Sequence, residues 1–389
     1  MPNNWKTYKL EKVATLQRGF DLPNTKRAEG NYPVIAASGF STWHNEFKVK
    51  GPGVTTGRSG TLGQVHFVKD DFWPLNTSLW VKDFHGNDER FIYYFLKTLN
   101  FEEYNSGTSV PTLNRNDVHK LDVTIPDLQE QQSIASILSA IDDKIENNLA
   151  INKTLEEMAM ALYKHWFVDF GPFQEGEFVE SELGRIPEGW EVIQFSKIVS
   201  KYIDNRGKTP PIEEEGIPLL EVKHISSNLF PDLKVQKYVS ENTYNNWFRN
   251  HLEEDDIIIS TVGTVGLTSL VPTFSKVAIA QNLLGLRFEK NKFPTGFMFY
   301  LMKSPYFLNQ IENRLVITVQ KSIKRSDLDK IPCLIPNQNL INSFNEIATG
   351  YIKQIENNLK ENQTLSQLRD TLLPKLISGE VRLKEFQES

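Results

Sequence analysis

The chain is written twice, and that duplication limits what it can fold into more than any other feature. Trp5 opens WKTYKLEKVA and Trp190 opens WEVIQFSKIV, with apolar residues at matching positions. GRSGTLGQVHFV (57–68) is answered by STVGTVGLTSLV (260–271), and FIYYFLK (91–97) by FMFYLMK (297–303). NRNDVHKLDVTIPD (114–127) is answered by KRSDLDKIPCLIPN (324–337), and IENNLAINKTL (145–155) by IENNLKENQTL (355–365). The offset grows from 185 to 210 along the chain, so the second copy carries loop insertions. A repeat this long implies two similar domains, each with its own core.

Each copy has a β-rich part followed by a long helix. Short runs such as YPVIAAS (32–38), GQVHFV (63–68) and DIIIST (256–261) are broken by Gly, Pro and Asn, as strands are. The helices follow Ile125-Pro126 and Ile335-Pro336. In the first, a 4-3 spacing selects Ile134, Leu138, Ile141, Ile145, Asn148, Asn152, Leu155, Ala159, Leu162 and Trp166. In the second it selects Phe344, Ala348, Tyr351, Ile355, Asn358, Asn362, Leu365, Arg369 and Leu372, with Leu368 expected to turn inward in place of Arg369. Sustained 4-3 spacing is a coiled-coil seam, and a polar residue in a seam fixes register at some cost in stability. The simpler alternative is an amphipathic helix packed on a globular core. About 35 residues at 1.5 Å each make a rod of roughly 50 Å. Pro374 is expected to close the second helix, and the first is expected to end near Phe167. Two such helices pairing antiparallel would leave a β-rich block at each end. The expected fold is therefore α+β, with two β-rich domains in pseudo-twofold arrangement separated by two long antiparallel coiled-coil helices. The boundaries read as 1–126 and 190–336 for the blocks, 127–168 and 337–378 for the helices, 169–189 for a linker and 379–389 for a tail.

Composition restricts the chemistry. With 39% hydrophobic and 24% charged residues the chain is globular rather than disordered. The first ten residues lack the apolar stretch of a signal peptide, no run is long enough to span a bilayer, and Cys333 is the single cysteine. These fit a cytoplasmic protein with no disulfide. The net charge of -6 is unevenly spread. Residues 1–126 carry 15 basic against 13 acidic side chains and residues 190–336 carry 18 against 16, whereas residues 127–189 carry 4 against 13. The acidity lies outside the two blocks, each of which can present a phosphate-binding face.

No catalytic motif is complete. A base-methylating loop needs an acidic or Asn residue before Pro-Pro-aromatic, but TPPI (209–212) has Thr and Ile212 at its ends. Glu221-Val222-Lys223, with Glu213, Glu214 and Glu215 upstream, has the carboxylate-x-lysine spacing of a magnesium-dependent nuclease, yet a solvated acidic loop explains it as well. Gly57, Gly60 and Gly63 are spaced like a loose phosphate cradle but also like a turn between strands; no GxxxxGK[ST] loop occurs, and the seven His show no metal-ligand spacing.

The phrases SGTSVPTLNRNDVHKLDVTIPDLQEQQSIASIL, LYKHWFVDFGPF, ELGRIPEGW and LRDTLLPKLISGEV, in this order, resemble the specificity subunits of type I restriction-modification systems. The likeness covers nearly the whole chain and is strongest in the helical regions. It implies that the blocks are target-recognition domains, each contacting one half of a split double-stranded DNA site. It implies further that the helices set the spacing and dock two modification subunits that methylate adenine. A restriction subunit can then join. Such a subunit holds no cofactor or metal: S-adenosylmethionine, ATP and magnesium belong to its partners.

On that reading DNA is met by basic, hydroxyl and amide side chains on loops, where they reach phosphates or base edges. The candidates are Arg18, Arg27, Arg58, Ser59, Thr61 and Arg115 in the first block. In the second they are Arg206, Lys208, Lys223, Thr264, Gln320, Lys321 and Lys324. Each could equally be a solvated surface side chain, and Arg58 and Lys321, in polar loops at duplicated positions, stand first. The competing functions are a diverged single-chain nuclease or methyltransferase, revealed by activity of the chain alone, and a protein scaffold that never binds duplex DNA.

Overall fold

The computed structural model describes residues 5–106, 110–205, 207–226, 228–317 and 319–382. The first copy runs β1 (Lys6–Lys9), β2 (Thr15–Arg18), β3 (Tyr32–Ala36), β4 (Gly39–His44), β5 (Gly53–Gly57), β6 (Val65–Val68), β7 (Trp73–Pro74), β8 (Ser78–Asp83), α1 (Glu89–Thr98), α2 (Arg115–Val118) and β9 (Asp122–Ile125), and α3 (Leu128–Phe167) follows. A hairpin of β10 (Phe178–Ser181) and β11 (Gly184–Pro187) leads to the second copy. This runs β12 (Glu191–Gln194), β13 (Val199–Ile203), β14 (Ile217–Leu220), β15 (Tyr238–Val239), α4 (Glu241–Trp247), β16 (Ile257–Ser260), β17 (Thr268–Leu270), β18 (Ala278–Ile279), β19 (Leu283–Phe288), α5 (Thr295–Lys303), α6 (Pro305–Glu312), β20 (Val316–Ile317), β21 (Lys321–Ser322), α7 (Arg325–Leu328) and β22 (Pro332–Ile335), and α8 (Gln338–Ser378) follows.

The chain forms two compact units, residues 1–146 with 362–389, and residues 147–361. In the first, a four-stranded antiparallel sheet has the order β2-β8-β5-β6 and a smaller sheet the order β4-β3-β7. In the second the orders are β13-β19-β16-β17 and β15-β14-β18, and β3/β7 and β14/β18 are the parallel pairs. The opening strand of each copy pairs with the strand before its long helix, Lys6 opposite Ile125 and Glu191 opposite Ile335. The same main-chain bond then fixes the turn in each, Leu10 N–H to Leu121 C=O and Phe195 N–H to Ile331 C=O, both 2.8 Å.

Alternating apolar residues put one face of each larger sheet against a helix. Asp88 accepts from Phe91 N–H at 2.8 Å and caps α1, which buries Phe91, Ile92, Tyr94, Phe95 and Leu96. The counterpart α5 is buried from Gly296 to Met302. Fully burying one such side chain contributes about 1.5–3 kcal/mol.

Each long helix contributes to both units. In the first unit α3 begins beside the end of α8: Glu130 takes Arg382 at 2.8 Å, Asp142 takes Arg369 at 2.8 Å, and Ile145 C=O accepts from Asn362 at 3.4 Å. In the second unit Asn358 donates to Asn152 at 2.7 Å and Asn148 donates to Glu361 at 2.7 Å. Partners on α8 retreat as α3 advances, so the segments are antiparallel within each unit. Ile134, Leu138, Ile141, Asn148, Asn152, Phe344, Ile355, Asn358 and Asn362 are buried, and Ile145, Leu155, Leu162, Tyr351, Leu365 and Leu372 are half-buried.

Two expectations fail on α8. Leu368 is 46% exposed, and the inward position belongs to Arg369, whose guanidinium meets the Asp142 carboxylate. Pro374 does not end the helix, which continues to Ser378. A proline in a helix costs about 3 kcal/mol, but Leu373, Leu376 and Ile377 around it are buried in the core of the first unit and offset that cost. The segment 169–189, expected as a linker, carries the β10/β11 hairpin, and Phe170 and Phe173 set their rings against Trp190.

Candidate nucleic-acid interface

In the antiparallel sheet of the first unit β2 and β5 end where β6 and β8 begin, so their loops gather at one end. Arg58 and Ser59 N–H donate to Thr77 C=O at 2.8 and 3.1 Å. Gly60 N–H donates to Pro111 C=O at 3.0 Å and Leu113 N–H to Arg58 C=O at 2.8 Å, which ties in the segment before α2. Gly57 is required here, because a Cβ would lie 1.7 Å from Thr61 C=O. The three glycines thus build a turn.

Arg18, Arg58, Ser59, Thr61 and Arg115 come together around these loops. Arg18 is exposed at the end of β2 and pairs with Asp21 at 3.3 Å, and Asp21 also accepts from the Asn76 amide. Arg58 is half-buried, with Nη1 donating to Asn76 C=O at 3.2 Å, so it braces the loop it was expected to project from. Ser59 bridges Thr112, and Arg115 is exposed at the start of α2. Arg27 lies elsewhere: it donates to Ser41 of β4 at 3.4 Å, and its Nε is buried without a partner.

The second unit repeats the main-chain scheme with other side chains. Thr261 N–H donates to Asn282 C=O at 2.8 Å, Gly263 N–H to Lys321 C=O and Ile323 N–H to Thr261 C=O, both at 2.9 Å. Thr261 therefore stands at the position of Arg58, and Lys321 at that of Pro111. Ser260 replaces Gly57 and uses its hydroxyl, donating to Thr264 C=O at 2.6 Å and accepting from Leu267 N–H at 2.9 Å. Lys208, Thr264, Gln320, Lys321 and Lys324 are exposed around this cluster, Lys321 paired with Glu312 at 2.9 Å. Arg206 lies outside the described residues. Lys223 follows β14 on the smaller sheet and pairs with Glu221 at 3.3 Å.

The acidic candidates have structural partners. The hydrogen bond from Lys237, 2.6 Å, holds the Glu221 carboxyl below the usual range, and Glu213 exchanges main-chain bonds with Tyr238. Cys333 is buried, which pushes its thiol pKa up. Among the described residues no three His, Cys, Asp or Glu side chains gather as a metal site would, and no described helix is long and apolar enough to cross a membrane.

Sequence reasoning passed over Asn76-Thr77 and Gln281-Asn282, which lie at the centre of the two clusters. Their signal was a pair of polar residues before each apolar strand: LNTSLWV (75–81) against AQNLLGL (280–286).

Residues 2–157 match the family described as the type I restriction modification DNA specificity domain. The chain is 26% identical to the type I restriction enzyme MjaIX specificity subunit of Methanocaldococcus jannaschii, over 99% of this chain and 95% of the relative. It is 24% identical to the HindI specificity subunit of Haemophilus influenzae, over 72% and 73%. The crystal structure of the S subunit of a type I system from M. genitalium has the same fold, with TM-score 0.59, 18% identity and 97% of each chain covered. The duplicated loop clusters and these likenesses point the same way: residues 2–157 match a type I restriction modification DNA specificity domain, and nearly the whole chain is similar to the specificity subunits of type I restriction-modification enzymes.

Proposed function

We propose that each unit reads one half of a split duplex site through its loop cluster. The two-helix element then sets the gap between half-sites and docks two modification subunits. S-adenosylmethionine, ATP and magnesium are held by the modification and restriction partners. The observation that carries this reading is the repeated loop cluster, in which one main-chain scheme presents different side chains: Arg58 where the other unit has Thr261, Pro111 where it has Lys321. A duplicated scaffold with divergent tips suits two different half-sequences, because main chain positions and side chains specify.

The test is a block exchange. Residues 190–336 are replaced by the matching block of a relative, and the chain is expressed with its modification subunit for methylation mapping. One half of the methylated motif is expected to change while the other half and the gap persist. Change in both halves, or methylation by the chain without its partner, overturns the reading.

A further inference from the structure

We propose that Asn76 and Gln281 are equivalent base-reading amides, each addressed to the major-groove edge of an adenine in the half-site of its own unit. This rests on the DNA-reading function above and names a residue and a base for it.

The equivalence is set by main-chain bonds on both sides. Before the amide, Leu75 N–H donates to Ile35 C=O and Ala280 N–H to Leu220 C=O, each at 2.8 Å. After it, Thr77 C=O accepts from Arg58 N–H and Asn282 C=O from Thr261 N–H, again at 2.8 Å. One residue lies between these anchors in each unit, and in both it carries a carboxamide although its neighbours differ.

Each amide is tethered in the same manner. The Asn76 Nδ2 donates to the Asp21 carboxylate, and the Gln281 Nε2 donates to Thr209 Oγ1 at 3.1 Å. Both acceptors lie on the loop that leaves the first strand of the larger sheet, β2 or β13. The tether uses one of the two amide N–H groups and limits the rotamers lost on binding. The second N–H and the carbonyl oxygen make no other side-chain hydrogen bond among the described residues, and Gln281 is exposed while Asn76 is half-buried. One donor and one acceptor in a plane fit the N7 acceptor and N6 amine of adenine, the bidentate pairing of Asn and Gln. Cations lie close by: Arg18 shares the Asp21 carboxylate with Asn76 and Arg58 holds the Asn76 main-chain carbonyl, while exposed Lys208 precedes the Thr209 that tethers Gln281, and all suit adjacent phosphates. The neutral amide adds nothing to that term, so its removal should leave the salt dependence intact.

The experiment uses the full chain with its modification subunit. Methylation mapping of Asn76→Ala is expected to show one adenine relaxed in one half-site, and Gln281→Ala one adenine in the other. Affinity for the wild-type duplex should fall roughly 5- to 150-fold, with an unchanged slope against salt. A duplex carrying 7-deazaadenine at that position should weaken binding by wild type and make no difference to the variant. This second measurement needs no substitution in the protein, so it also decides the matter if a variant fails to fold. Unaltered motif and affinity in both variants, loss that is uniform across sequences, or relaxation at a base other than adenine overturns the proposal. A wild-type complex that methylates no split motif would instead overturn the function on which it rests.

Discussion

The two units share strand order and turn hydrogen bonds, yet they join the long helices by different means. The first uses charge: Asp142 on α3 accepts from Tyr94 of α1 at 2.6 Å and from Arg369 of α8 at 2.8 Å. Between its helices the second uses neutral amides, Asn152 with Asn358 and Asn148 donating to the Glu361 carboxylate, and keeps charge for α5, where Lys303 meets Glu156 at 3.6 Å. The main chain of the repeat resists change because every ladder and turn bond depends on its neighbours. A seam side chain can diverge whenever a partner on the facing helix satisfies it.

The largest effect expected from this difference follows Asp142→Ala. The change takes the acceptor from the Tyr94 hydroxyl and leaves the Arg369 guanidinium with Asp370 alone. Asp142 is 19% and Arg369 21% exposed at the side chain, so solvent screening reduces the cost of breaking a fully buried pair to about 2 kcal/mol. Hydrogen exchange resolved by segment should show the loss in residues 1–146 and 362–382 and little change in 147–361. Equal loss in both units, or none, would break the contrast between them.

A smaller effect is expected in the amide seam. Asn152 and Asn358 are 6% and 5% exposed, and the Asn152 Nδ2 has no partner. Asn358→Ala strands the Asn152 carbonyl oxygen as well, at a cost of about 1–2 kcal/mol. Replacing both by Leu removes the polar groups together and should restore or exceed the original stability, with register less firmly set. A double-mutant cycle measures this. Additive single effects would show that the bond between the amides contributes nothing.

Much of this architecture was legible in the sequence because repetition and the 4-3 pattern are local. The segments that answer one another across the duplication, the β-rich character of each block and the long helix after each Ile-Pro pair came from spacing. The same spacing selected Arg369, but its charge argued for Leu368 instead, because the partner that lets a guanidinium turn inward, Asp142, is remote in sequence. The reading of Pro374 failed for a similar reason: proline breaks a helix by local rules, while Leu373, Leu376 and Ile377 hold it by tertiary burial. The site was less legible. Charge led to Arg27 and Arg58, and the fold engages these with Ser41 and the Asn76 carbonyl. The amides at 76 and 281 stand out only once main-chain bonds align the two copies.

The smallest expected difference is in the response to acid. Burial is the main cause that lowers the ring pKa of His66 and His119 in the first unit and of His224 in the second below the ordinary 6.5. Two of these rings also accept a main-chain N–H at 2.9 Å, His119 from Leu16 and His224 from Glu221, and protonation removes that acceptor. A histidine with a depressed folded pKa binds its proton more readily when unfolded. Its contribution is fully present above the unfolded pKa and is lost as pH falls from there through the folded pKa. Acidification from about pH 7.5 to about 5.5 should therefore loosen both units, and the first more, since it carries two such rings. The structural counterpart of His119 is Asp329, which takes the Tyr202 hydroxyl instead. Burial raises the pKa of Glu156 in the second unit, a trend of opposite sign that favours folding as pH falls. The amide of Leu16 is the direct reporter: its exchange, corrected for the intrinsic pH dependence, should accelerate on acidification. His119→Gln keeps an acceptor without a titrating group and should flatten that response. Acceleration that survives the substitution, or a second unit that loosens as much as the first, would place the acid sensitivity somewhere other than these rings.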